Sequence, residues 1–112
     1  KIKVMHISSE NLIRKLVDLR ENNEKNPFEK EFDCIDILII EDIQFIIGKK
    51  SIEKGTLSLL DYLINKKVQI ILSCDINPSK LDFCNLALKK LLWKGFFIPI
   101  SKNKCKVGLK SK

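Results

Sequence analysis

The side chains best placed to do chemistry are Glu41 and Asp42, two adjacent carboxylates that close the apolar run Ile37-Leu38-Ile39-Ile40. Neighbouring carboxylates at the end of a strand can hold a Mg²⁺, directly or through water, beside nucleotide phosphates. An acidic pair can also do no more than stop a strand and solvate a loop, and on this stretch alone the two readings stand level. Asp75 closes a second apolar run, residues 68–74, in the same way. The other reactive side chains suggest less. Cys34, Cys74, Cys84 and Cys105 show no CxxC spacing, and His6, the one histidine, is remote from them. A zinc site is therefore not expected. Cys34 and Cys74 lie in apolar strand patterns and read as buried thiols, which fits a reducing cytoplasm.

The elements that must position these acids can be read from periodicity. Residues 35–40 are rich in β-branched side chains and too short for a typical helix, so they read as a strand. Near-continuous apolarity implies burial on both faces, as in a parallel sheet covered by helices, and in such sheets ligands bind beyond the carboxyl ends of the strands. A shorter strand is expected at residues 3–7. Ser8 and Ser9 can cap the helix that follows, with Glu10 complementing its dipole. Leu12, Ile13, Leu16, Val17 and Arg20 recur at helical spacing, the helix ends near Asn22 and Asn23, and Asn26-Pro27 marks a break. Phe28 and Phe32 suggest a short helical turn packed under the next strand.

After Gly48-Lys49-Lys50, the stripe Leu57, Leu60, Leu63 and Ile64 predicts a helix over residues 51–65, weakened at Gly55 by about 1 kcal/mol relative to alanine. A strand at 68–74, a turn at Asn77-Pro78 and a helix from residue 80 or 81 to Trp93 follow, stopped by Gly95. Residues 96–100 read as a last strand, and Pro99 argues that it lies at an edge or ends early. Alternating β and α elements predict an α/β fold, a three-layer parallel sheet with flanking helices and right-handed crossovers. His6 reads as a residue of an edge strand and Trp93 as packing at a helix end.

The chain has 112 residues, 45% of them hydrophobic, which suffices for one domain with a core and is too apolar for a disordered chain. No apolar run approaches the roughly 20 residues of a membrane span. Residues 1–4 begin directly in a strand pattern, which hints at a chain whose front is missing, and they lack the features of a secretory signal. Lys102, Lys104, Lys106, Lys110 and Lys112 supply five of the seven net positive charges. This basic tail, residues 102–112, reads first as a solvated, frayed terminus; the alternative is neutralisation of nucleic-acid phosphates.

At residues 35–45 the pattern becomes specific. Asp36-Ile37-Leu38-Ile39-Ile40-Glu41-Asp42-Ile43-Gln44-Phe45 resembles the Walker B segment of the bacterial DnaA family of replication initiators, AAA+ ATPases whose pattern reads DVLLIDDIQF. Ser9-Glu10 resembles the SE that opens the next helix of that family, and Gly48-Lys49 the GK beyond Walker B. Gln69-Ile70-Ile71-Leu72-Ser73-Cys74-Asp75, with Pro78, resembles the sensor I strand QIVLSSDRPP. Gly95 falls on the family's WG glycine. The resemblance runs without gaps over residues 3–100, so residues 1–101 are expected to be a partial AAA+ domain.

The resemblance implies roles residue by residue. Glu41 stands where the family binds Mg²⁺ with an aspartate. Asp42 stands at the acid that polarises the attacking water, and Asp75 at sensor I, near the γ-phosphate. Val17 and Lys49 fall where the family's channel touches single-stranded DNA, and Ser51 where it has a basic residue for the same contact. ATP and Mg²⁺ are the implied cofactors; single-stranded origin DNA and DnaA-like or other replication proteins are the implied partners. There are also departures. No GxxxxGK[ST] Walker A loop occurs in these residues; it would precede Lys1 together with the family's first strand. The arginine finger falls on Leu91 and a second arginine on Ala87. The lid with sensor II and the helix-turn-helix domain are missing too. In the family the first strand lies between the last strand here and the sensor I strand, so its absence leaves a gap with two unpaired edges. Either the native chain is longer or the sheet closes up differently. Two functional readings follow: part of an ATP- and DNA-binding initiator core with impaired hydrolysis, or a non-catalytic adaptor, regulator or decayed remnant that binds a replication partner. A small α/β domain with no such role is the third and weakest.

Overall fold

The computed structural model describes residues 1–22, 27–101 and 104–109. The expectations at Asn23, Asn26, Lys102, Lys110 and Lys112 lie outside the described residues. Strand β1 (Val4–Ser8) leads into helix α1 (Ser9–Asn22), a short helix α2 (Pro27–Glu31) and strand β2 (Ile37–Glu41). Helix α3 (Lys50–Asn65), strand β3 (Gln69–Cys74), helix α4 (Leu86–Trp93), and strands β4 (Phe96–Ser101) and β5 (Lys104–Leu109) follow. Single turns of 3₁₀ helix cover Ile43–Phe45 and Pro78–Lys80.

The α/β class and the partial AAA+-like core hold. The sheet order is β1-β2-β3-β5-β4, with β1, β2 and β3 parallel. A wholly parallel sheet is not what forms, because β5 pairs antiparallel with both β3 and β4. β4 therefore runs in the same direction as β3 but one strand place away, and β5 fills that place. The expected gap is closed by residues 104–109, which had read as part of a frayed basic tail. Pairing satisfies both rows of backbone groups that β3 and β4 would otherwise leave open. The alternation was present: Cys105, Val107 and Leu109 are buried, and Lys106 between them is exposed. β4 is an edge strand, as Pro99 suggested.

One sheet face carries the core. Ile7, Leu38, Ile40, Ile70, Leu72, Cys74 and Val107 pack there against Leu12 and Leu16 of α1, Leu59, Leu60 and Leu63 of α3, and Leu88 and Leu92 of α4. Successive right-handed crossovers that step in one direction put their helices on one face. The opposite face differs from the expected cover on both sides. Its residues Val4, Ile37, Ile39, Ile71 and Ile98 are half-buried or exposed, and no described residue of that face is buried.

Local details follow from packing. At Gly55 α3 faces Leu16 of α1, and an added Cβ would meet Leu16 Cδ2 at 3.4 Å, an ordinary van der Waals contact. α4 starts at Leu86, later than expected, because Asn85 caps it by accepting from the Leu88 N–H at 3.0 Å. Cys34 is exposed and takes a left-handed backbone conformation ahead of β2, so it is not a buried thiol. Cys74 is buried, as expected. No helix among the described residues is long and apolar enough to cross a membrane.

Candidate functional site

β2 and β3 are adjacent parallel strands, with Ile40 opposite Leu72, so the acids that follow them emerge at the same end of the sheet. The structure thus brings Glu41, Asp42 and Asp75 to one rim, and hydrogen bonds fix the backbone there. Ser9, buried at the start of α1, points its hydroxyl at the carbonyl oxygens of Glu41 (2.6 Å) and Asp42 (2.8 Å). Ser73 Oγ accepts from the Asp42 N–H at 3.0 Å. Gln44 Oε1 accepts from the Asp75 N–H at 3.2 Å. Between these ties Asp42 adopts φ 59°, ψ 55°. That left-handed conformation costs an L-residue on the order of 1–2 kcal/mol and persists only where the surroundings enforce it.

The side chains are less gathered than the backbone. Glu41 Oε1 lies 3.0 Å from His6 Nε2 on the edge strand, and both side chains are about half exposed. At that exposure the contact contributes little to stability, but it gives the carboxylate a neighbour on the open face of the sheet. The Asp42 side chain is half-buried and Asp75 is exposed. Behind Asp75, burial pushes the Cys74 thiol above its ordinary pKa.

The expected DNA contacts fall on neighbouring elements. Val17 is half-buried on α1 against the core, which leaves only part of its side chain for a ligand. Lys49 is exposed ahead of α3, and its ammonium donates to the Phe45 carbonyl at 2.8 Å. Ser51 is exposed in the first turn of α3. Leu91 packs partly buried against the core and Ala87 is exposed, both on α4.

Sequence reasoning missed the residue that ties this region together. Glu53, fully buried on α3, accepts from the Gly48 N–H at 2.7 Å, the Cys84 N–H at 3.0 and 3.1 Å and the Asn85 N–H at 2.9 Å. One carboxylate thus joins the turn after the acidic pair to the segment that starts α4. The available signal was spacing: Glu53 and Thr56 share the stripe that continues through Leu60 and Leu63. Ser9 and Ser73 had been read only as a helix cap and as part of a strand, because a hydroxyl bridging two strand ends leaves no local pattern.

Mg²⁺ and a nucleotide place different demands on the rim. Glu41 and Asp42 offer the hard oxygen donors that suit Mg²⁺. Phosphates need a cradle of backbone amides or a lysine. Gly48 lies in a turn, Gly55 within α3, Gly95 ahead of β4 and Gly108 within β5, so the glycines of this chain form no phosphate loop. The described residues hold no cluster of three or more His, Cys, Asp or Glu side chains suited to a metal ion. The cavity behind the rim, between Ile43, Cys74, Leu81 and Val107, is apolar and about 10 Å³. The described rim therefore holds hard oxygen donors at Glu41 and Asp42 and no glycine loop that would cradle phosphates.

The bacterial DnaA ATPase domain family matches residues 1–99. The chromosomal replication initiator protein DnaA of Rickettsia canadensis (strain McKiel) is 37% identical over 98 residues, which are 88% of this chain and 21% of that protein. The same protein of Rickettsia bellii (strain OSU 85-389) is 36% identical over the same length. Among solved structures, domain III of the Thermotoga maritima replication initiation protein DnaA superposes with a TM-score of 0.67 at 33% identity, covering 80% of this chain and 38% of that one. AMPPCP-bound DnaA from Aquifex aeolicus gives 0.64 at 25% identity, covering 79% and 28%. The chain spans about a fifth of the length of the curated relatives it matches, 21%. Strand β5 begins at Lys104, beyond the last family-matched residue.

Proposed function

This chain belongs to the bacterial DnaA ATPase domain family, and from that premise we propose that it forms the central part of a DnaA-like initiator core that is impaired in nucleotide hydrolysis. The observation that carries the reading is the convergence of Glu41, Asp42 and Asp75 at the ends of two adjacent parallel strands. In this reading Glu41 would hold Mg²⁺, directly or through water, Asp42 would stand beside the attacking water, and Asp75 would stand near the γ-phosphate. The group these residues serve is ATP, in keeping with the AMPPCP-bound relative. When bound, Mg·ATP would supply the phosphoanhydride to be cleaved; what this chain contributes is the fixed geometry of its acids. Lys49, with Val17, contacts single-stranded origin DNA, and DnaA-like or other replication proteins are the partners. The setting is the cytoplasm.

A second reading has specific support. Leu91 stands at the arginine-finger position, partly buried in the core, and cannot stabilise charge on a neighbour's γ-phosphate. β5 occupies the strand place beside the sensor I strand. Both favour a DnaA-like module that binds a replication partner and hydrolyses nothing.

Titration of the folded chain with Mg·ATP separates the two. The first reading expects saturable binding that Glu41→Gln weakens at least tenfold. The second expects no saturation at millimolar nucleotide. The DNA role is tested with a fluorescent single strand: Lys49→Ala should weaken binding uniformly across sequences, and unchanged binding removes that lysine from the interface.

A further inference from the structure

We propose that Cys74 and Cys105 are a disulfide-forming pair, a redox modification site that staples β5 to β3. The two cysteines are directly opposite one another in the antiparallel β3–β5 ladder. Opposed residues of such a ladder point to the same face with Cα atoms about 4.5–5.5 Å apart, inside the range of about 4.4–6.8 Å that a disulfide spans. Both thiols are buried, Cys74 at 1% and Cys105 at 7% exposure, on the face that carries the core. Cys34 and Cys84 are exposed and lie on other segments. The pair also joins two departures from the family. Cys74 stands where the sensor I pattern quoted above has serine, and Cys105 lies beyond the last matched residue, 99.

The chemistry is thiol–disulfide exchange with a small-molecule disulfide such as oxidised glutathione. Cys105, the more exposed of the two, attacks as thiolate when the β4–β5 hairpin opens. It forms a mixed disulfide and releases one glutathione thiolate, which takes up a proton. Cys74, as thiolate, then attacks the Cys105 sulfur and releases the second glutathione, which takes up the second proton. Two cysteine sulfurs lose one electron each, and the external disulfide is reduced to two thiols. Burial raises the pKa of Cys74, so the closing step is slow and is favoured by rising pH. The product fixes β5 in the place between β3 and β4 and clamps the end of β3 beside Asp75. Any other strand is then excluded from that place until the bond is reduced.

The test uses the full chain with Cys34→Ser and Cys84→Ser, so that only the buried pair remains. The folded protein is incubated with oxidised glutathione, digested without reductant and analysed by mass spectrometry. The proposal expects an intact mass lower by two hydrogens, a cross-linked peptide carrying Cys74 and Cys105, and a midpoint of thermal unfolding raised by roughly 10 °C that dithiothreitol reverses. Amides of β5 should exchange more slowly in the oxidised form. A stable glutathione adduct on Cys105 that does not resolve overturns it. So does a chain whose two thiols become linked only after unfolding in urea. Cys105→Ser in the same background must abolish both the cross-link and the thermal shift.

Discussion

The carboxylate of Glu53 accepts from the backbone N–H of Asn85 at 2.9 Å, across 32 residues of chain. With its bonds to Gly48 and Cys84, this buried side chain couples the turn after the acidic pair to the cap of α4. Hydrogen bonds to a buried charge contribute about 1.5–3 kcal/mol each when a partner is removed. Glu53→Gln keeps the shape but turns an NH₂ group toward backbone donors. It should lower unfolding free energy by about 2–4 kcal/mol in urea titration. A loss under about 0.5 kcal/mol would show that the network contributes nothing.

Gly95 reports on β5. A Cβ at this position would stand 2.6 Å from the Gly108 carbonyl oxygen, on the neighbouring strand. Backbone cannot yield as a flexible side chain does, so Gly95→Ala should cost about 1–3 kcal/mol. It should also speed amide exchange in residues 104–109 of β5. A neutral Gly95→Ala would mean that β5 does not pack beside it.

Asp42 stores strain. Its positive φ suits glycine, so Asp42→Gly should match the parent or exceed it by up to about 1 kcal/mol, while Asp42→Ala should lose about 1 kcal/mol. Chemical denaturation of the three proteins checks the order. Alanine more stable than glycine would show that the backbone there is not held left-handed.

Lys15 on α1 and Glu31 at the end of α2 are joined at 2.8 Å. The hydrogen bond and charge of Lys15 hold the Glu31 carboxyl below its ordinary value of 4.5. A lowered carboxylate pKa contributes stability above the unfolded value, and that contribution is lost as pH falls through the folded one. Lys15→Ala should therefore return the Glu31 titration toward 4.5 and destabilise slightly at neutral pH, with no effect once Glu31 is protonated. The effect is small, because both side chains are more than a third exposed. Carbon-detected NMR titration of Glu31 reads it directly; an unchanged midpoint in the variant would contradict the pairing.

How much was legible follows from these residues. The apolar runs before Glu41 and Asp75 located β2 and β3, but their continuous apolarity also implied a cover on both faces, and Ile37, Ile39 and Ile71 on the second face are only half-buried. The quoted motifs placed the acids, and the strand ends bring them together. β5 was hidden because lysines at 104 and 106 made a period-two strand look like a solvated tail. Cys34 misled because an apolar neighbourhood does not reveal a left-handed turn. The single helical layer could not be read locally, since it depends on the direction in which successive crossovers step. Glu53 was missed for a related reason: a carboxylate is satisfied by amides 31 and 32 residues away, and nothing beside it in the chain announces them.

We propose that this member of the DnaA ATPase domain family presents the acids of a nucleotide site at the ends of β2 and β3 and that these residues do not themselves turn ATP over. Phosphate release from Mg·ATP by the purified chain decides it. The expected rate is indistinguishable from a no-protein control, with or without single-stranded DNA. Turnover above that control, abolished by Asp42→Asn, would contradict it.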